Sequence, residues 1–130
     1  MGSLIVGIGV DIVDVRRIDA VWKRYGARFV ARLLSDHELE NLLVYAPIDA
    51  ARLAGRWAAK EAVSKAIGTG FRGFAMNDIE IINDALGLPT VTLRNGAELR
   101  ATDIGVCKLL ISISHEKEMA IAQAIALACP

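Results

Sequence analysis

The sequence has few cysteines, few aromatic residues and no excess charge of either sign. Aromatic residues make up 5% of its 130 residues, and 15 Lys and Arg balance 15 Asp and Glu. A neutral chain has no overall field to attract nucleic acid or an anionic membrane surface, so local charge must bind any anionic ligand. The two cysteines, Cys107 and Cys129, show no metal-binding spacing, and we interpret them as reduced thiols.

Long apolar runs are also missing. No stretch reaches the length of a transmembrane helix, and the first residues lack the basic region of a signal peptide. These absences predict a soluble cytoplasmic protein with no membrane partner. Hydrophobic residues are nevertheless abundant, at 54% of the total. They suffice for one domain over residues 1–130 and leave apolar surface for contacts between subunits.

The hydrophobic pattern changes its period along the chain. Alternation over residues 4–13 predicts a strand, and on one of its faces only Gly7 and Gly9 precede Asp11. Such a bare face lets another group approach the backbone closely. Residues 15–45 predict two or three helices, broken at Gly26, with Ser35 and Glu38 forming a capping box.

A longer helix is predicted over residues 49–67, and shorter elements follow it. We expect a short helix over residues 96–104 and strands near residues 79–82, 91–93, 109–114 and 120–127. Between the first two of these strands, Asn83, Asp84 and Gly87 are predicted turn residues. The order of one strand, then helices, then strands indicates an α+β fold, with a mostly antiparallel sheet packed against the long central helix.

The long helix carries polar side chains on one half of its helical wheel. These are Arg56, Lys60, Glu61, Ser64 and Lys65. Ala59, Ala62, Val63 and Ala66 occupy the other half, which is the expected core side. Taken alone, the polar half predicts a solvated face with a Glu61–Lys65 pair worth about 0.2–0.5 kcal/mol.

Two carboxylates, Asp11 and Glu61, admit a second interpretation. Each alone could be a capping or solvated residue. Together they suit a magnesium site, which commonly uses one or two carboxylates with phosphate oxygens and water. The cations of the helix would suit the phosphate. His115, at a strand end, could donate to a phosphate or be an ordinary surface histidine.

A basic segment lies between these two carboxylates. Residues 16–32 contain six Lys or Arg against one acid, Asp19. Three of the cations, Arg17, Arg24 and Arg28, share one helical stripe. The stripe is either a solvated face or a docking surface for an acidic partner. Nucleic acid is a poorer fit because no aromatic platform accompanies the charge.

Four segments in order resemble the holo-acyl-carrier-protein synthase family, the short type of phosphopantetheinyl transferase. They are residues 7–18, 56–70, 83–89 and 113–118, and the first two are the specific ones. The resemblance spans nearly the whole chain. Trp57 stands where phenylalanine is common, and Leu88 stands where lysine is common; neither is a proposed metal ligand.

The resemblance implies a site and a reaction. Asp11 and Glu61 would hold Mg²⁺, and Glu61 and Lys65 would be catalytic. Coenzyme A would be bound by Arg56, Ser64, Lys65, Gly68 and His115. A serine of an acidic acyl carrier protein, docked on Arg17, Arg24 and Arg28, would attack the β-phosphate, so that adenosine 3′,5′-bisphosphate leaves. Short family members are typically cytoplasmic homotrimers of fatty acid and lipid biosynthesis, with the site between subunits.

Several points stay open at this stage. The general base is Glu61 or a metal-bound water, and Lys60 is a phosphate ligand or, as we favour, a structural ion-pair partner. The sequence does not say whether the carrier serves fatty-acid or polyketide assembly. A non-enzymatic nucleotide- or phosphate-binding module and a purely structural trimeric subunit are the rival interpretations.

Overall fold

The helices and strands follow the order that the hydrophobic pattern predicts. The computed structural model describes residues 4–130. Residues 1–3 lie outside the described part, so the predictions for the start of the domain and for the absence of a signal peptide are not tested there. The helices are α1 Val15–Tyr25, α2 Ala27–Leu33, α3 Asp36–Tyr45, α4 Ala50–Ala66 and α5 Asn95–Asp103. The strands are β1 Ile5–Asp14, β2 Ile79–Asn83, β3 Pro89–Leu93, β4 Val106–His115 and β5 Met119–Ala128.

The strands form two antiparallel sheets. One has the order β1-β5-β4 and the other pairs β2 with β3. Helix α4 packs against β1, β5 and β4. The predicted α+β class, with antiparallel strands against a long central helix, is therefore confirmed. Between residues 4 and 130, no helix is long and apolar enough to cross a membrane.

The bare face of β1 is occupied by helix α4. A Cβ atom added to Gly7 would collide with the carbonyl oxygen of Ala66, and one added to Gly9 would collide with that of Ala62. The predicted close approach is real, but the group that approaches is the protein's own helix. These glycines therefore fix the separation of α4 from the sheet, and through it the position of Asp11 relative to α4.

The other face of β1 is apolar and open to solvent. Ile8 is 66% exposed and Ile12 is 61% exposed. Their partners across to β5 are Ile125 and Ile121, and Ile121 is also exposed. A contiguous apolar sheet face of this kind is typical of a protein interface.

The prediction that the polar half of α4 is solvated is wrong for three of its residues. Arg56, Lys60 and Ser64 are buried, and Lys60 has no exposed side-chain surface. The ammonium of Lys60 donates to Glu38 Oε1 at 2.7 Å and to the carbonyl oxygen of Leu33. A helical wheel does not show this burial, because it contains only the residues of α4 and not α2, α3 and β2, which cover that side of the helix. The expectation that Lys60 is an ion-pair partner is confirmed.

Helix α3 begins as its sequence predicts. The Ser35 hydroxyl accepts from the Glu38 backbone N–H, and the Glu38 carboxylate accepts from the Ser35 N–H at 3.0 Å. The same carboxylate also accepts from the Ile81 N–H of β2 at 3.0 Å. Glu38 therefore joins the start of α3, strand β2 and Lys60 of α4 in one buried network.

The interpretation of the cysteines as free thiols is wrong. Cys107 and Cys129 form a disulfide with their Cα atoms 4.8 Å apart. They meet because β4 pairs antiparallel with β5, which brings the start of one strand beside the end of the other. Their spacing of 22 residues carries no sign of this register. The β4–β5 hairpin is thus closed at both ends.

Reduction of this bond should lower the stability of the protein. Loop-closure arguments give about 3 kcal/mol for a loop of this length. We expect dithiothreitol to lower the urea midpoint of the wild type and to leave a Cys107→Ser/Cys129→Ser variant unchanged. An equal response of the two proteins to the reductant would show that the bond does not form in solution.

Candidate active site

Strand β1 and helix α4 bring Asp11, Glu61 and Lys65 into one cluster. Lys65 Nζ donates to the Val10 carbonyl oxygen at 2.9 Å and to Asp11 Oδ1 at 3.3 Å. The Asp11 side chain is 18% exposed, whereas that of Lys65 is about half exposed. Glu61 lies one helical turn before Lys65 on α4. Three of the residues predicted for the site thus lie together.

The two carboxylates repel each other. Burial raises the pKa of Glu61, the charge of Asp11 raises it further, and Lys65 and Arg17 act in the opposite direction. Two like charges held this close are unfavourable without a cation between them. The cluster therefore favours the binding of a positive ion.

The donor set fits Mg²⁺. Over residues 4–130, no group of three or more His, Cys, Asp or Glu side chains could hold a metal. A cation at Asp11 and Glu61 would have two protein carboxylates and would need further oxygens from a ligand and from water. Mg²⁺ is commonly bound in this way, by one or two carboxylates with substrate phosphates and several waters.

A cavity of about 460 Å³ lies between α4, the β2–β3 turn and β4. Arg56 lines it and is only 6% exposed. Its Nη2 donates to Asn83 Oδ1 at 3.1 Å, while its buried Nη1 has no hydrogen-bond partner within residues 4–130. Burial lowers the pKa of Arg56. A buried guanidinium with an unused donor is a binding group for an anion.

Predicted and unpredicted residues meet in this cavity. His115, a predicted coenzyme A ligand at the end of β4, lines it. Asn83 and Gly55 were missed. Asn83 had been interpreted only as a turn residue, although it orients Arg56. A Cβ on Gly55 would lie 3.1 Å from Ile113 and 3.8 Å from the His115 ring, so the glycine permits α4 to pack beside the histidine.

Two other predicted ligand residues lie at the end of α4. Ser64 is fully buried, and its hydroxyl donates to the Glu61 carbonyl oxygen at 2.7 Å. Gly68 has a φ of 84°, and its N–H donates to the carbonyl oxygens of Ser64 and Lys65. Both residues thus shape the C-terminal turn of α4 that carries Lys65. Their contact with a ligand stays a prediction.

A larger cavity of about 720 Å³ lies on the other side of α4. Its walls are mainly apolar and aromatic, and they include Glu61 of the carboxylate pair and Arg28 of the basic segment. Arg17 lies over the ring of Trp57, 5.8 Å from its centroid, and that tryptophan also lines the cavity. The basic segment therefore borders the site.

Two carboxylates suited to a divalent cation, an ammonium beside them and an unpaired guanidinium in a second cavity are groups that enzymes transferring phosphate-containing groups use. Residues 7–124 match the model of the 4′-phosphopantetheinyl transferase superfamily. The chain belongs to this superfamily. Within it, the chain is an enzyme of the holo-[acyl-carrier-protein] synthase type, as comparison with individual relatives shows.

The relatives match over almost their full length. The holo-[acyl-carrier-protein] synthase of Clostridium acetobutylicum is 44% identical over 94% of this chain and 97% of that protein. The acyl carrier protein synthase of Plasmodium yoelii, solved with ADP bound, is 36% identical, with a TM-score of 0.88 over 99% of this chain and 100% of that one. The Helicobacter pylori synthase, solved with coenzyme A, is 32% identical, with a TM-score of 0.79 over 92% of this chain and 98% of that one.

Proposed function

We propose that this chain transfers the 4′-phosphopantetheine group of coenzyme A to a serine of an apo-acyl carrier protein and releases adenosine 3′,5′-bisphosphate. The observation that carries the proposal is the cluster of Asp11, Glu61 and Lys65, and the unpaired buried guanidinium nitrogen of Arg56 in a separate cavity along the same helix adds to it. The names of the relatives and their complexes with coenzyme A and ADP support the same substrates.

The residues divide the work of phosphoryl-type transfer, which needs alignment and charge neutralisation more than covalent help. Asp11 and Glu61 would hold Mg²⁺, which would supply positive charge to offset that of the diphosphate. Arg56 and His115 bind coenzyme A phosphates in the smaller cavity. Lys65, which already donates to Asp11, adds positive charge where the leaving group becomes more negative.

Glu61 is the proposed proton acceptor, directly or through a water. Burial and the charge of Asp11 raise the pKa of Glu61 in the chain without a cation. In the proposed reaction the proton of the carrier serine passes to Glu61 or to that water as the new oxygen–phosphorus bond forms and the bond to the departing adenosine 3′,5′-bisphosphate breaks.

The test is a mass-detected assay of several apo-carriers with coenzyme A, with and without Mg²⁺. We expect at least one carrier to gain the mass of phosphopantetheine in the presence of Mg²⁺ and none to gain it after chelation. Coenzyme A binding without modification of any carrier would instead support a non-enzymatic binding module.

The proposal assigns carrier docking to Arg17, Arg24 and Arg28. All three are exposed, and Arg28 lines the cavity that also contains Glu61. An acidic carrier helix on this surface would meet cations around an apolar cavity, which suits a polar rim about an apolar centre. Docking there brings the carrier serine to the side of α4 that carries Glu61.

Reversal of these charges should impair carrier recognition. We expect Arg17→Glu/Arg24→Glu/Arg28→Glu to raise the carrier's KM by about tenfold or more and to weaken its dependence on salt, with coenzyme A affinity retained. The matched control reverses three exposed cations elsewhere, Arg72, Lys108 and Lys117. If both triple variants have the wild-type KM and salt dependence, the docking assignment is wrong.

The proposal also includes assembly as a homotrimer in the cytoplasm, in a fatty-acid or other carrier-dependent lipid pathway. The exposed apolar face of β1 and β5 supports the assembly, because it offers a contiguous surface whose burial against other copies is favourable. The remaining parts are what the resemblance to the synthases implies.

A further inference from the structure

Helix α4 carries two buried cations, Arg56 and Lys60, and two buried carboxylates lie on neighbouring elements, Glu38 on α3 and Glu80 on β2. Each carboxylate is paired with a cation other than Arg56. Glu38 is 2.7 Å from Lys60, and Glu80 is 3.0 Å from Arg94. Arg56 has only the neutral amide oxygen of Asn83 as a hydrogen-bond partner within the described residues.

Glu38 lies within electrostatic reach of both buried cations. Its charge raises the pKa of Arg56 against the effect of burial, and it raises that of Lys60 as well. Arg56 in turn lowers the pKa of Lys60, as expected for cations one helical turn apart. Glu38 therefore attracts both cations but forms its ion pair with one of them.

The ion pair between Glu38 and Lys60 determines whether the Arg56 guanidinium remains unpaired. A guanidinium is well suited to a two-point contact with a carboxylate, and a buried carboxylate without a cation is strongly unfavourable. If Glu38 had no lysine, Arg56 would be available as its partner, because Arg56 feels the charge of Glu38 and forms no ion pair of its own within the described residues. An Arg56–Glu38 pair would use the guanidinium donor that is otherwise unpaired.

We propose that Lys60 is a positioning residue that neutralises Glu38 and so keeps the Arg56 guanidinium unpaired for an anionic ligand. The inference rests on the proposed function, in which that ligand is a phosphate of coenzyme A. Lys60 does not touch the ligand and acts through Glu38. Its burial beside the Leu33 carbonyl oxygen holds it in this role.

The two members of the pair should affect anion binding in opposite ways. Lys60→Met leaves Glu38 to capture Arg56, so the Kd for adenosine 3′,5′-bisphosphate should rise by about tenfold or more. Glu38→Gln removes the competing charge, so the Kd should stay the same or fall. The neutral double variant Glu38→Gln/Lys60→Met should bind within about threefold of wild type. Both single variants should unfold at lower urea because each breaks a buried ion pair.

The experiment is calorimetric titration of the full chain with adenosine 3′,5′-bisphosphate, with urea unfolding of every variant measured alongside. A purely structural pair would weaken binding in the same direction for Lys60→Met and Glu38→Gln, and that result overturns the inference. If Lys60→Met does not fold, Glu38→Gln and the double variant decide, and a rise of tenfold or more in the Kd of either overturns it.

Arg56→Gln separates this inference from the proposed function. We expect it to weaken binding of the bisphosphate. If Arg56→Gln weakens binding while Lys60→Met and Glu38→Gln change the Kd in the same direction, the role proposed for Lys60 is wrong but Arg56 remains a ligand of the bisphosphate. If Arg56→Gln binds as wild type does, the assignment of Arg56 to the ligand is wrong and the inference falls with it.

Discussion

Replacing Asp11 or Glu61 with alanine should abolish Mg²⁺-dependent transfer while the protein remains folded. Each variant removes one of the two carboxylates at the proposed Mg²⁺ site, so the cation loses half of its protein ligands. We expect the rate to fall by about a hundredfold or more, the usual effect of removing a preorganised charge-stabilising group. The measurement is the mass-detected transfer assay at saturating carrier and coenzyme A.

Stability should respond differently from activity. Asp11→Ala loses an ion pair with a half-exposed Lys65, which is worth at most about 1 kcal/mol. Glu61→Ala removes a carboxylate whose ionisation burial and Asp11 both disfavour. Its urea midpoint without Mg²⁺ should therefore equal or exceed that of the wild type. The exposed Glu98→Ala serves as the control and should keep full activity; full activity in either site variant would remove that residue from the metal site.

Replacing Ile8 with glutamate should prevent assembly of the proposed trimer. Ile8 is 66% exposed in the single chain, so the variant should fold. In the proposed assembly the substitution would bury one carboxylate of each copy in an interface, at a cost of several kcal/mol. Because the resemblance to the synthases implies a site between subunits, activity should be lost together with the assembly.

Light scattering during size-exclusion chromatography measures this directly. The wild type should elute as a trimer and Ile8→Glu as a folded monomer. Leu99→Glu is the matched control, since Leu99 is 69% exposed but lies on α5, away from the β1 face. A monomeric wild type, or a trimeric Ile8→Glu variant, would contradict the assignment of this face to the interface.

The sequence was a good guide to elements whose signals are local. Ser35 caps α3 as expected, α4 begins close to the predicted residue 49, and Gly26 separates α1 from α2. The strand predictions near residues 91–93 and 109–114 were too short. Strands β3 and β4 begin at Pro89 and Val106, where pairing with neighbouring strands extends them beyond the local pattern.

The failures all involve contacts between distant residues. Lys60 was placed on a polar half-wheel because a wheel does not contain Glu38, which reaches it from α3. The cysteines were interpreted as free because their pairing depends on the β4–β5 register. Asn83 looked like an ordinary turn residue until the structure placed it against Arg56.

The candidate site was predictable only in part. From the sequence pattern alone, Asp11 and Glu61 could each be a capping or solvated residue or a metal ligand, and only the resemblance to the synthases assigns them to one metal site. The structure adds the Lys65 contacts and the repulsion that raises the pKa of Glu61. Ser64, which the sequence pattern places on a polar helix face, is buried in the interior of the structure.

The most direct test of the metal assignment is the anomalous scattering of Mn²⁺ in crystals grown with coenzyme A. Mn²⁺ accepts the same oxygen ligands as Mg²⁺ and scatters anomalously. We expect an anomalous peak at about 2.0–2.3 Å from an oxygen of Asp11 and from an oxygen of Glu61, with further oxygens from the diphosphate. A peak elsewhere, with Lys65 still paired to Asp11 and no density between the two carboxylates, would contradict it.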